Sequence, residues 1–340
     1  MTKASPTEIE RRFLDELRRA RRSGRRVPDF FIVGHAKCGT TAMHEMLSAH
    51  PQIYFPANKE TQFLARDPGD RVASVKRRPT TRPLTLDAYL SLFDAAGEDR
   101  RAGEASTGYL RTPAAAERIA ALSPDARIVA MFRDPASFLR SFHLQLLQVE
   151  IETERDFARA IELEADRRRG SHVPRDCPWP QALYYSEHVR YVEQLRQYHE
   201  LFGRDNVLVL IYDDFRRENE RVVGQVQRFL GIDDSLALER SEANPTVRVR
   251  SHRAEQLLEA VSVGRGPVSR AAKRLLKTAV PERRRRGALA TVRRQIVSAA
   301  PPPDEALMAE LRRRYKPHVT ALSEYLQRDL VGLWGYRDVE

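Results

Sequence analysis

Phe30-Phe31-Ile32-Val33-Gly34-His35-Ala36-Lys37-Cys38-Gly39-Thr40-Thr41-Ala42-Met43-His44-Glu45-Met46-Leu47 is the stretch on which the chain is organised. The apolar run 30–33 ends at Gly34, a short polar loop follows, and Met43, Met46 and Leu47 recur at helical spacing. This predicts a strand, a loop and a helix. Such a loop brings backbone N–H groups to the positive end of a helix dipole, which suits a phosphate.

The spacing of Gly34 and Gly39 matches the Gly-x-x-x-x-Gly of a P-loop, but Thr40 stands where the P-loop lysine belongs and Lys37 lies inside the loop. The usual Lys-Ser/Thr pair, whose hydroxyl holds magnesium, is absent in that form. Simple nucleoside triphosphate chemistry is disfavoured. A P-loop-type small-molecule kinase remains an alternative, and it requires magnesium ligands.

Three further segments extend the pattern. Asn58-Lys59-Glu60-Thr61-Gln62-Phe63-Leu64 follows a short extended piece at 52–55, and Gly103-Glu104-Ala105-Ser106-Thr107-Gly108-Tyr109-Leu110 precedes an alanine-rich helix at 113–122. The apolar run 126–132 reads as a buried strand that ends in Arg133-Asp134-Pro135 and passes into a helix, with Ser141 eight residues beyond the arginine. A triphosphatase normally ends this strand in an acid that serves magnesium. Here it ends in a cation. A last strand, 207–212, with a packing helix at 222–230 completes the run.

From about residue 28 to about residue 232, these motifs in order resemble the sulfotransferases that use 3′-phosphoadenosine 5′-phosphosulfate (PAPS), especially the carbohydrate branch. The resemblance implies that His35, Ala36, Lys37, Cys38, Gly39, Thr40, Thr41 and Ala42 surround the donor's 5′-phosphosulfate. It implies that Arg133 and Ser141 bind the 3′-phosphate, and that a basic loop containing Arg248 and Arg250 closes over the adenosine. Lys37 is the expected stabiliser of the leaving oxygen and Glu60 the expected base. A related branch uses histidine as base, which keeps His35 and His44 as alternatives. Ser106 borders donor and acceptor in the family's Gly-Glu-x-Ser/Thr-Pro-x-Tyr segment, although this chain lacks the proline. The products implied are PAP and a sulfated acceptor, a glycan or glycosylated small molecule, with no metal required.

The fold expected is α/β, three layers with a central parallel sheet, the P-loop-like loop after its first strand, and a helical C-terminal addition. Residues 1–27 read as a basic amphipathic helix packed on the domain, 28–262 as the sulfotransferase domain, and 263–340 as a basic linker and helices on that domain. Single helices are expected at 84–93, 156–169, 184–201 and 304–330, and a loop at 65–85.

The net charge of +11 suits an anionic ligand, but equally nucleic acid or an acidic membrane surface. A basic nucleic-acid binder is therefore the second alternative, although the motifs favour the enzyme. Clusters at 18–26 and 283–286 are expected outside the active site. With two cysteines, Cys38 and Cys177, no disulfide framework is possible, and a reducing cytoplasm fits. No apolar run approaches the length of a membrane span. Oligomeric state is not legible.

Overall fold

The computed structural model describes residues 5–57, 59–66, 83, 85–175, 177–239, 247–249, 297–299 and 302–339. The apolar run of the opening stretch forms β1 (Phe30–Gly34), every residue of which is buried. Beside it run β2 (Ile53–Tyr54), β3 (Arg101–Ala105), β4 (Arg127–Phe132) and β5 (Val207–Ile211), all paired in parallel in the order β2-β3-β1-β4-β5. Parallel strands need crossovers and burial on both faces, so β1 and β4 are continuously apolar. The helices α1 (Pro6–Arg22), α2 (Thr40–Ser48), α3 (Leu86–Leu90), α4 (Pro113–Leu122), α5 (Pro135–Gln148), α6 (Phe157–Glu162), α7 (Glu164–Arg168), α8 (Tyr191–Phe202), α9 (Tyr212–Arg217), α10 (Asn219–Leu230), α11 (Glu305–Leu326) and α12 (Leu330–Leu333) flank the sheet. A short antiparallel pair, β6 (Val247–Val249) and β7 (Val297–Ala299), lies apart from it, with β6 beside α5.

Order decides where a ligand can sit. The chain passes from β1 through α2 toward β2 and β3 on one side, then returns to β4 and β5 on the other. The crevice beyond the C-terminal ends of β1 and β4 is thus a topological switch point.

β3, Arg-Ala-Gly-Glu-Ala, has no apolar run to announce it, yet it is the strand next to β1. Small residues are required there. A Cβ on Gly103 would lie 2.3 Å from the Phe30 ring and 2.5 Å from the Phe55 ring.

Three expected helices are broken. The one at 156–169 splits at Leu163 into α6 and α7, and this turns Arg167 inward to a fully buried pair with Glu152 at 2.8 Å. The one at 184–201 begins as 3-10 turns (Pro180–Leu183 and Tyr185–Val189), because Gln194 Nε2 donates to the Glu187 carbonyl at 2.8 Å, an oxygen that a continuous helix would bond internally. The last helix stops at Leu326 and restarts at Leu330. The helix at 84–93 shortens to Leu86–Leu90.

α1 packs on α4, with Glu10 accepting from Arg118 at 2.5 and 2.8 Å and Phe13 edge-on to Phe63. The 18–22 part of the first arginine cluster lies at the end of α1; most of the 65–85 segment, Arg250 and the 283–286 cluster lie outside the described residues. Arg248 lies in β6, opposite Ser298, with its side chain outside the description.

Candidate active site

The loop after β1 turns tightly into α2. Gly39 precedes the helix at φ +91°, and a Cβ there would press to 3.0 Å on the Phe215 ring and 3.2 Å on the Tyr212 ring. The first backbone bond of α2 is from Met43 N–H to the Gly39 carbonyl at 3.0 Å, so the amides of Thr40, Thr41 and Ala42 point free of the helix start. Three non-glycine residues around the site, Lys37 (φ 60°), Glu60 (φ 62°) and Gln62 (φ 54°), hold left-handed backbones. Such conformations cost free energy and persist where surrounding structure holds them.

Two cations converge here. Arg133, at the end of β4, donates from Nη1 to the Lys37 carbonyl at 3.2 Å and stacks over Tyr212 at 4.8 Å. The Lys37 ammonium makes no hydrogen bond or ion pair with another described residue, and its pKa is lowered by burial and then by the Arg133 charge. Two like charges held together, partly out of water, are unfavourable without a counter-anion.

His35 and Cys38 turn inward. His35 is 1% exposed, its Nε2 is 2.7 Å from Gln194 Oε1, and burial lowers its pKa to about 4. Its ring packs among Phe132, Phe138 and Tyr191, so it cannot reach an acceptor hydroxyl. Cys38 is fully buried and its thiol is pushed up to about 12. The side chains of these two residues thus shape the loop from beneath. His44 lies half-buried against Phe55, with its pKa lowered to about 4 by burial and then by Lys59.

Glu60 is clamped on several sides. Thr107 donates to its carboxylate from N at 3.0 Å and from Oγ1 at 3.2 Å, and Gln62 Nε2 donates at 2.5 Å. Lys59 Nζ lies 3.4 Å away and also donates to Thr41 Oγ1 at 3.0 Å, which ties Glu60 to the start of α2. Sequence reasoning named Glu60 but not this clamp, because Thr107 is 47 positions distant.

Beneath Glu60 lies a second carboxyl. Glu104 is 1% exposed and accepts from Ser106 Oγ at 2.5 Å and Thr61 Oγ1 at 3.1 Å, while Ser106 Oγ in turn accepts from Gln62 N at 3.0 Å. Its pKa rises from 4.5 to about 7, mainly through burial, with the Glu60 charge adding to the rise. The folded protein therefore keeps a proton that the unfolded chain has already lost. This group's contribution to stability is full below about pH 4.5 and declines as pH rises toward about 7. Native protein should lose up to about 3 kcal/mol relative to Glu104→Gln between about pH 5 and about pH 8. Denaturant melts of both proteins at the two pH values check this; a constant difference would contradict it.

Asp134, and Asp213 and Asp214 at the start of α9, are braced by the far end of the chain. Asp134 caps α5 through Ser137 N at 2.9 Å and accepts from Tyr336 at 2.6 Å; Asp213 accepts from Trp334 at 2.9 Å; Arg328 donates to Asp214 at 2.7 Å. Ser141, buried on α5, lies two turns beyond the cap.

A phosphate-type loop at the switch point of a parallel sheet, with paired cations and a clamped carboxylate, defines a P-loop-like α/β enzyme built around an anion. The profile described as "Sulfotransferase family" matches residues 28–235, and the chain belongs to that family. The crystal structure of a sulfotransferase from Alicyclobacillus acidocaldarius superposes with a TM-score of 0.62 at 27% identity, over 91% of this chain and 99% of the other. Human carbohydrate sulfotransferase 15 is 36% identical over 78 residues, 23% of this chain and 13% of the relative. Human bifunctional heparan sulfate N-deacetylase/N-sulfotransferase 3 is 26% identical over 217 residues, 61% of this chain and 22% of the relative. The chain thus matches only a minor part of these curated relatives' length. Among the described residues, no helix is long and apolar enough to cross a membrane.

Proposed function

We propose that the protein transfers a sulfuryl group from PAPS to a hydroxyl of a carbohydrate or glycosylated small molecule, releasing PAP. The observation that carries this reading is the junction of Lys37 and Arg133 at the ends of β1 and β4, beside the open amides of α2. These residues fit the donor. The amides and hydroxyls at Thr40 and Thr41 would hold its 5′-phosphate, and Arg133 with Ser141 its 3′-phosphate. Arg248 is a further candidate, since β6 lies beside the helix that carries Ser141.

When bound, the donor supplies an activated sulfuryl group. Lys37 places its ammonium where negative charge grows on the departing oxygen, in surroundings dry enough to strengthen the attraction. Glu60 takes the acceptor proton on a carboxylate oxygen, held in one orientation by Thr107 and Gln62. The names of the carbohydrate and heparan sulfate relatives support a sugar acceptor. A cytoplasmic location is proposed on two cysteines only, both free.

Donor recognition should depend on the 3′-phosphate. Loss of a charge-assisted contact costs about 1.5–3 kcal/mol, roughly 10- to 150-fold in affinity. By calorimetry, Arg133→Ala should weaken adenosine 3′,5′-bisphosphate by that order and leave adenosine 5′-monophosphate nearly unchanged. Equal losses for both ligands would remove Arg133 from the 3′ site.

A further inference from the structure

The two strand ends that frame Arg133 are each tied to the last residues of the chain. On the β4 side, the residue after Arg133 is Asp134, whose Oδ1 accepts from the Tyr336 hydroxyl at 2.6 Å while its Oδ2 accepts from Ser137 N at 2.9 Å and caps α5. On the β5 side, the Tyr212 ring centroid lies 4.8 Å from the Arg133 guanidinium carbon. The next two residues are Asp213, which accepts from Trp334 Nε1 at 2.9 Å, and Asp214, which pairs with both terminal nitrogens of Arg328 at 2.6 and 2.7 Å. Every one of these contacts lands within two residues of Arg133 or of the ring on which it stacks.

The tail that supplies these donors is itself fixed. Tyr336 is fully buried and Trp334 nearly so; Tyr336 N donates to the Val331 carbonyl at 2.8 Å, and Lys316 Nζ to the Val339 carbonyl at 2.7 Å. The helix that carries Lys316, α11, packs along α5, which carries Ser141. Apolar packing alone would be met by phenylalanine at both aromatic positions. Polar aromatic groups aimed at acids also set the direction of the acid, and with it the turn that bears it. Arg133 needs that direction. Among the described residues its guanidinium has one hydrogen bond, to the Lys37 carbonyl at 3.2 Å, so its aim rests on the Tyr212 ring and on its own backbone.

Resting on the sulfotransferase reading, we propose that Tyr336, Trp334 and Arg328 are positioning residues for the donor's 3′-phosphate, holding the ends of β4 and β5 so that the Arg133 guanidinium and Ser141 meet that phosphate together. A forked contact between arginine and phosphate tolerates a displacement of only about 0.5 Å before it loses its geometry. The 5′ site is built on the end of β1 and the start of α2, to which none of the three side chains is hydrogen-bonded. The tail therefore acts on one phosphate of the donor and not on the other.

The test is calorimetric binding of adenosine 3′,5′-bisphosphate and adenosine 5′-monophosphate to the native protein, Tyr336→Phe, Trp334→Phe and Arg328→Gln, with a thermal melt of each. Every variant should bind the bisphosphate about fivefold or more weakly and the monophosphate within about twofold of native. Arg328→Lys should keep more of the bisphosphate affinity than Arg328→Gln, because it retains the charge without the fork. The Arg328 side chain is 38% exposed, so its variants decide the matter if a buried one fails to fold. A brace that is only structural would lower the melting temperature and weaken both ligands alike or neither, and either pattern overturns the proposal. Native protein that binds the two ligands equally well would instead sink the underlying reading.

Discussion

Lys37→Ala should lower the rate of sulfuryl transfer by about a hundredfold or more while leaving the protein at least as resistant to unfolding as the native chain. Both halves follow from the same geometry. The Lys37 ammonium is drawn out of water beside Arg133, and burial and that neighbouring charge both push its pKa down. Such a group opposes folding, so its removal should not destabilise the fold. Its use is realised only when negative charge grows in the site. Initial rates and thermal melts on the same preparations separate the two effects; a variant that lost stability in proportion to activity would mark Lys37 as structural.

Glu60→Gln should also cost about a hundredfold or more in kcat and should leave PAP affinity nearly intact. The substitution keeps shape but removes the ability to take a proton. It also disturbs the clamp, because an amide nitrogen cannot accept from Gln62 Nε2 or from the Thr107 donors. The expected destabilisation is about 1–2 kcal/mol, too little to unfold an average domain. If turnover survives, His44 is the next candidate base. Its lowered pKa of about 4 keeps it neutral at physiological pH yet makes it a weak proton acceptor. His35, enclosed by aromatic rings and bonded to Gln194, has no route to a hydroxyl.

The sequence carried the central strand, its loop and the strand that ends in Arg133 because each rests on local signals: a continuous apolar run, glycines where the backbone turns, and a proline that opens a helix. β3 carried no such signal. Its burial depends on Phe30 and Phe55 leaving room only for small residues, a fact of three dimensions. The break before α8 depends on Gln194 reaching a carbonyl that precedes its own helix, and side-chain competition of this kind is invisible to helical periodicity. The brace of Asp134 by Tyr336 joins positions 202 apart. His35 and Cys38 were correctly placed in the loop by spacing, but spacing does not say which side of a loop a side chain takes.

The most direct test of the account is transfer of the sulfuryl group from radiolabelled PAPS, followed in a single turnover with neutral and acidic sugar acceptors, by native protein, Lys37→Ala and Glu60→Gln. The account predicts label on a sugar hydroxyl with the native protein and a fall of about a hundredfold or more in either variant. Label transferred equally fast by Glu60→Gln, or no label on any sugar from a native protein that binds PAP, would contradict it.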